Sequence, residues 1–341
     1  MNFFQALILV VFFCCLVVFV GFWYPKKTNT TSYVQQQWER PSAVHKIEIS
    51  PGASPEFVIV FIHGFLGFGA FNEFDAWNEF VHKIVPALHG RNYIVYHPGL
   101  LQTKDVQSFA QDSDVRQAAL HIKKVIEEIA KNDYESSVGG YSVAGLPLVC
   151  VGHSNGASTL ISLMSQHHEI AKEVDGMVLL SPYADFRQAS TLAQVSRYSP
   201  VVAGVGAKLL YAPQYSPTKK TPEDYVRAGL FPDDLPALFV NNRNDRIVPF
   251  KNRDLFAVAF DKNQKYEQTV RFLDLDTGGH NWGWRRVKLS CVHCGDGVAH
   301  SHGDFDKKLA SKVRKYRYYL RSDDREALQK AINEFLDQKV L

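Results

Sequence analysis

Cysteine is scarce in this chain. There are five in 341 residues, and Cys14 and Cys15 sit in one apolar run while Cys150 sits in another, where they read as filling. That pattern excludes the disulfide framework of a small secreted domain. Charge of one sign is scarce too: the net charge is +3, which gives no reason to propose a nucleic acid partner. Internal repeats and low-complexity tracts are absent. What is present is 46% hydrophobic and 21% charged residues, enough for one large domain with appendages.

Basic residues are missing from the front of the chain, before an apolar run over residues 3–23 that only Gln5 interrupts. As a helix that run is about 30 Å long, enough to cross a bilayer core. A cleaved secretory signal would have a basic front, a shorter run and a small-residue cleavage site. Residues 1–24 are therefore expected to be a retained membrane anchor, with Trp23 and Tyr24 at the interface and a cleaved signal as the alternative. Lys26 and Lys27 follow the run, so the rest of the chain is expected on the cytoplasmic side. The sequon Asn29-Thr30-Thr31 would point the other way if it were used. Residues 25–44, with Gln35-Gln36-Gln37, read as a polar tether.

From residue 45 onward, apolar runs alternate with helix-spaced patterns. Runs at 57–62, 93–96, 148–151, 235–240 and 269–273 predict strands; patterns near 74–88, 115–130 and 255–260 predict helices. Alternation of this kind argues for an α/β fold, a mainly parallel sheet flanked by helices.

The strand at 148–151 runs into Gly152-His153-Ser154-Asn155-Gly156, and Ala157, Ser158, Leu160, Ile161 and Met164 continue as a helix. A serine at such a strand-to-helix turn is held in a strained conformation with its hydroxyl above the sheet edge. The glycines are needed because side chains there would strike the neighbouring strand and helix. The bland alternative is a serine that caps the helix. A nucleophilic hydroxyl needs a base, and the base needs an orienting carboxylate. The strand at 235–240 ends in Asn241-Asn242-Arg243-Asn244-Asp245, and the strand at 269–273 is followed by Thr277-Gly278-Gly279-His280. Asp245 and His280 are thus expected at the carboxyl edge where open α/β sheets place their chemistry. Asp185 is the alternative acid, while Asp274 and Asp276 are expected on the solvent side. Upstream, the strand at 57–62 leads into His63-Gly64-Phe65-Leu66-Gly67. The amides of Phe65 and Asn155 are the natural donors to an oxyanion.

With these motifs the chain resembles the α/β-hydrolase superfamily from about residue 45 to about 320, in the branch with a serine nucleophile. The His-Gly-Phe loop is similar to that of lipases and esterases. The resemblance implies a Ser154–His280–Asp245 triad and no organic cofactor. It also implies a cap inserted between strands, here about residues 184–234, where apolar content suggests a lipid-like acyl substrate. Carboxylic esters are the expected substrate; thioesters and amides are the alternatives, and a silent hydrolase fold acting as scaffold is the rival from another class. The substrate does not follow from the fold.

Two features lie beyond that constellation. Cys291 and Cys294 precede His300 and His302 within a loop at about 282–304, and these four side chains can supply a tetrahedral structural zinc site. A Cys291–Cys294 disulfide and ordinary loop residues are the other readings. The tail offers a basic helix around Lys307–Arg321, and Asp323 and Glu326 are placed to cap a last helix over 323–341 that carries Leu328, Ile332 and Phe335.

Overall fold

Four apolar runs that show no alternation of polar residues form the centre of one sheet, buried on both faces, as parallel strands must be. The computed structural model describes residues 43–47, 54–64, 84, 87–88, 91–97, 113–131, 143–185, 220–245, 248–280 and 320–341. The strands are β1 Ala43–Ile47, β2 Phe57–Ile62, β3 Tyr93–His97, β4 Leu148–His153, β5 Gly176–Leu180, β6 Ala237–Asn242 and β7 Val270–Leu275. Every residue of β2, β4, β5 and β6 is buried. The sheet order is β1-β3-β2-β4-β5-β6-β7. Only β1 runs antiparallel, against β3; the other pairs are parallel.

Helices cover both faces. On one side lie α1 (Ser113–Lys131), α2 (Asn155–Gln166), α3 (Pro222–Arg227) and α4 (Lys251–Asp261). Their Ile122, Leu160, Val226 and Phe256 share a core with Val58, Cys150 and Phe239. On the other side α5 (Ser322–Lys339) packs Leu328, Ile332 and Phe335 against Ile59, Val151 and Leu180. Each such side chain withdrawn from water contributes about 1.5–3 kcal/mol. Cys150 fills its position as the sequence suggests, and burial, with help from Asp175, pushes its thiol pKa up, so it stays an unreactive thiol.

Register decides what this frame can do. His153 pairs with Leu180, Leu180 with Val240, and Asn242 with Leu275. The carboxyl ends of β4, β5, β6 and β7 therefore finish along one line, and the loops that leave them share an edge.

The segment expected as a cap over 184–234 is described at both ends. Ala184 and Asp185 are buried, and from Lys220 onward the chain is part of the main body: Val226 and Phe231 are core residues. The apolar content at 226–235 is explained by packing against α2 and α4. Of the helix expected over 74–88, Ile84, Ala87 and Leu88 are described, and all three are buried. The apolar run at 3–23, the tether up to residue 42, Phe65, the Cys291/Cys294/His300/His302 loop and the basic helix up to residue 319 lie outside the described residues, while Ala43 and Val44, expected at the end of the tether, open β1. Among the described residues no helix is long and apolar enough to cross a membrane, and no cluster of metal-ligating side chains occurs.

Candidate active site

Ser154 adopts φ 52° and ψ −115°, a conformation that L-residues avoid and that persists only where the surroundings enforce it. Its amide donates to the Leu180 carbonyl at 2.8 Å, and its own carbonyl accepts from Ser158 N at 3.1 Å to start α2. The glycines supply the enforcement. A Cβ on Gly152 would stand 2.6 Å from the Ala157 Cα, and one on Gly156 would overlap the carbonyls of Ile62 and His63 at the end of β2. Ser154 occupies the cap position of α2 yet makes no side-chain cap bond. A serine kept there to cap the helix would make that bond.

Asn155 opens the helix, so its amide belongs to the first turn, whose N–H groups point out of the helix end. The Tyr183 hydroxyl donates to Asn155 Oδ1 at 2.6 Å. Tyr183 is itself fixed through its main chain: its N–H donates to Ser158 Oγ at 2.8 Å, and Ser158 Oγ lies 3.0 Å from its carbonyl. The loop after β5 is thereby pinned to α2. Asn252 adds a second pin, accepting from Ala184 N at 3.0 Å. Of the oxyanion loop, His63 and Gly64 are described, with His63 Nδ1 2.7 Å from the Gly64 carbonyl.

His280 and Asp245 meet. His280 Nδ1 lies 2.8 Å from Asp245 Oδ2, and the second carboxylate oxygen, Oδ1, accepts from Val248 N at 2.8 Å. Both residues are buried, at 8% and 6% exposure. A carboxylate on Nδ1 sets the tautomer with the proton there, which leaves Nε2 as the basic nitrogen. Asp185, the alternative acid, is buried beside Asn252, whereas it is Asp245 that holds the imidazole. His280 also touches the elbow: the rings of His153 and His280 lie 4.8 Å apart, and His153 Nε2 is 3.2 Å from the His280 carbonyl. Among the described residues Ser154 Oγ makes no hydrogen bond to His280. Bonds of this kind are often long before substrate binds and tighten in the reacting complex. Asp274 and Asp276, expected to face solvent, form ion pairs with Arg253 and Arg243 at 3.2 Å.

The loop that carries His280 holds residues that sequence reasoning passed over. Asn242 Nδ2 donates to the Thr277 carbonyl and Asn244 Nδ2 to the Asp276 carbonyl. Asp324 accepts from the Asp276 and Thr277 amides at 3.2 and 2.8 Å, and from Thr277 Oγ1. Gly278 and Gly279 then turn the chain with φ 101° and 58°. The run Asn241–Asn244 signalled a polar turn, but nothing in the sequence connects it, or the last helix, to residue 277.

The strand order and the strained elbow define an α/β-hydrolase fold with Ser154 at its strand-to-helix turn. No family model matches the chain, and no curated protein does. Solved structures show similar folds. An esterase of Pyrococcus furiosus is 14% identical, with 84% of each chain covered and a TM-score of 0.46. An esterase of the planctomycete Thermogutta terrifontis is 16% identical, over 80% of this chain and 88% of that one, at a TM-score of 0.43. An acylaminoacyl peptidase is 14% identical over 84% of this chain and 41% of that one, at 0.43. Likeness at that level carries no argument; the fold is defined by this chain's own strand order and backbone angles.

Proposed function

We propose that the chain is a membrane-anchored serine hydrolase that cleaves carboxylic esters of a lipid or fatty-acyl kind. The observation that carries the hydrolase reading is the strained, uncapped Ser154 in an elbow whose His153 ring lies against the His280 of a buried Asp–His pair. In a solvated loop an Asp–His pair is unremarkable; buried at the sheet edge that also carries the elbow, it suits transfer of the serine proton.

In this reading His280 Nε2 takes the Ser154 hydroxyl proton as Oγ attacks the ester carbonyl carbon. Asp245 steadies the imidazolium that forms. The amides of Asn155 and Phe65 receive the oxyanion, favoured by the positive end of α2. The imidazolium then protonates the leaving alcohol, and the acyl group stays on Ser154. Water, deprotonated by the same nitrogen, attacks the acyl-enzyme; collapse returns the proton to Oγ and releases the acid. No organic cofactor is needed. Thioesters and amides would pass through the same groups.

The lipid-like substrate, the anchor at 1–24 and the cytoplasmic orientation rest on the sequence pattern: the apolar run, the two lysines after it and the apolar residues between β5 and Lys220. The zinc site at Cys291, Cys294, His300 and His302 is likewise a reading of residue types, with a structural role because the serine machinery needs no metal.

Covalent labelling by a fluorophosphonate probe, with Ser154→Ala as control, tests the chemistry. Labelling of the wild type alone supports it, and a silent wild type leaves the scaffold reading. Esters of graded chain length test the acyl preference, and selection of acetate over long chains defeats the lipid assignment. Elemental analysis of the chain beside Cys291→Ser tests the zinc, which is excluded if no stoichiometric metal is found.

A further inference from the structure

The dipeptide Asp276-Thr277 precedes the two glycines and the base, and all four of its backbone polar groups are taken by side chains from elsewhere. Asn244 and Asn242, in the turn that ends in the acid, donate to its carbonyls. Asp324, at the third position of α5, accepts from both of its amides. The Thr277 hydroxyl completes the tie: it donates to Asp324 Oδ2 and accepts from Arg321 N at 2.9 Å. A loop would ordinarily give those four groups to water. Here they are committed to two elements that are themselves anchored. Asn242 is the last residue of β6, its Oδ1 accepts from Asn244 N at 2.8 Å, and α5 is seated by Leu328, Ile332 and Phe335 in the core.

Asp324 is misplaced for an ordinary helix cap. It lies within the first turn of α5, and Arg321 at the cap position makes no side-chain cap bond. An acidic side chain there is favoured by the helix end, yet its hydrogen bonds go to another loop. Glycines at 278 and 279 with left-handed φ give the chain freedom between this tie and His280. That freedom must be removed for the imidazole to meet Ser154 repeatedly in one geometry, because a displacement of about 1 Å can cost on the order of 100-fold in rate.

We propose that Asp324 is a positioning residue for the general base: the C-terminal helix closes a clamp, whose other jaw is Asn242 and Asn244, on the loop that presents His280. This rests on the hydrolase reading above. The test compares the full-length chain with Asp324→Ala and Asp324→Asn, measuring phosphonylation rate, kcat and KM on one soluble ester, thermal midpoint, and hydrogen exchange at the Asp276 and Thr277 amides. The expected result for Asp324→Ala is a fall of about 10- to 100-fold in kcat and phosphonylation rate, with KM within about twofold and faster exchange at both amides. Asp324→Asn keeps one acceptor oxygen and should recover part of the rate. A variant that reacts at the wild-type rate overturns the proposal, as does a loss of rate with unchanged exchange at 276 and 277. Should Asp324→Ala fail to fold, Thr277→Val removes the hydroxyl ties with little change in shape; a fall of several-fold in kcat sustains the clamp, and an unaltered kcat ends it. If the wild type does not react at all, the hydrolase reading fails, and exchange alone decides the clamp: faster in the variant keeps it, unchanged removes it.

Discussion

At the elbow, backbone shape is imposed over five residues: Ser154 is forced to φ 52° by neighbours for which Gly152 and Gly156 leave just enough room. At the base loop, the chain is loosened by Gly278 and Gly279 and then recaptured by Asn242, Asn244 and Asp324, the last 47 residues from Thr277. Ser154 is held by steric exclusion, the loop before His280 by hydrogen bonds from separate elements. Steric exclusion is short-ranged and all-or-none, so a single methyl should destroy it. A set of hydrogen bonds is graded, so removing one should leave a slower enzyme that still folds.

The chemical limits come first. Ser154→Ala should lower kcat on a p-nitrophenyl ester by at least about 10⁴-fold. Asp245→Asn should lower it by on the order of 10⁴-fold, while Asp185→Asn leaves it within about threefold of wild type. Equal losses from the two aspartate variants would remove Asp245 as the orienting acid. The comparison itself is then set by Gly156→Ala against Asn244→Ala. The added methyl meets the end of β2, so Gly156→Ala should cost about 1–3 kcal/mol and abolish probe labelling. Asn244→Ala should cost about tenfold in kcat with a thermal midpoint lowered by only a few degrees. If both variants behave alike, the distinction between steric and hydrogen-bonded placement is lost.

The last effect is on stability alone and concerns neither loop. His121 on α1 is buried, and burial, with Lys124 nearby, lowers its pKa from 6.5 to about 4. The unfolded chain protonates this residue below about pH 6.5 and the folded chain only near pH 4. Its contribution is therefore intact above pH 6.5 and is lost as pH falls from 6.5 towards 4, up to about 3 kcal/mol in all. Urea unfolding at about pH 7 and about pH 5 should show a smaller drop for His121→Gln than for wild type. An identical drop would assign the acid sensitivity to other groups.

Much of the frame was legible in advance. Strands at 57–62, 93–96, 148–151 and 235–240 are readable because burial on both faces demands unbroken apolar runs, and helix 115–130 because its apolar residues recur every turn; the strand at 269–273 is an edge strand, mostly half-buried with Arg271 exposed. The last helix was also readable, but Asp323 and Glu326 were expected as its caps, whereas Asp324 beside them is spent on the base loop. The region after Lys220 looked like cap and is core, since apolar residues at a surface insertion and apolar residues beneath a helix have the same composition. Two aspartates follow strands at the same edge, and chain order alone could not choose between them. The 2.8 Å contact with His280 Nδ1 does.

By itself the sequence determined the elements and the elbow, because propensity, periodicity and glycine sterics act over a handful of neighbouring residues. Tertiary structure alone decided which carboxylate orients the imidazole and which side chains tether its loop. Those contacts join residues 32 to 48 positions apart, and hydrogen bonds require alignment to within tenths of an ångström. Such alignment follows from strand order and register across the whole sheet, which no local pattern encodes.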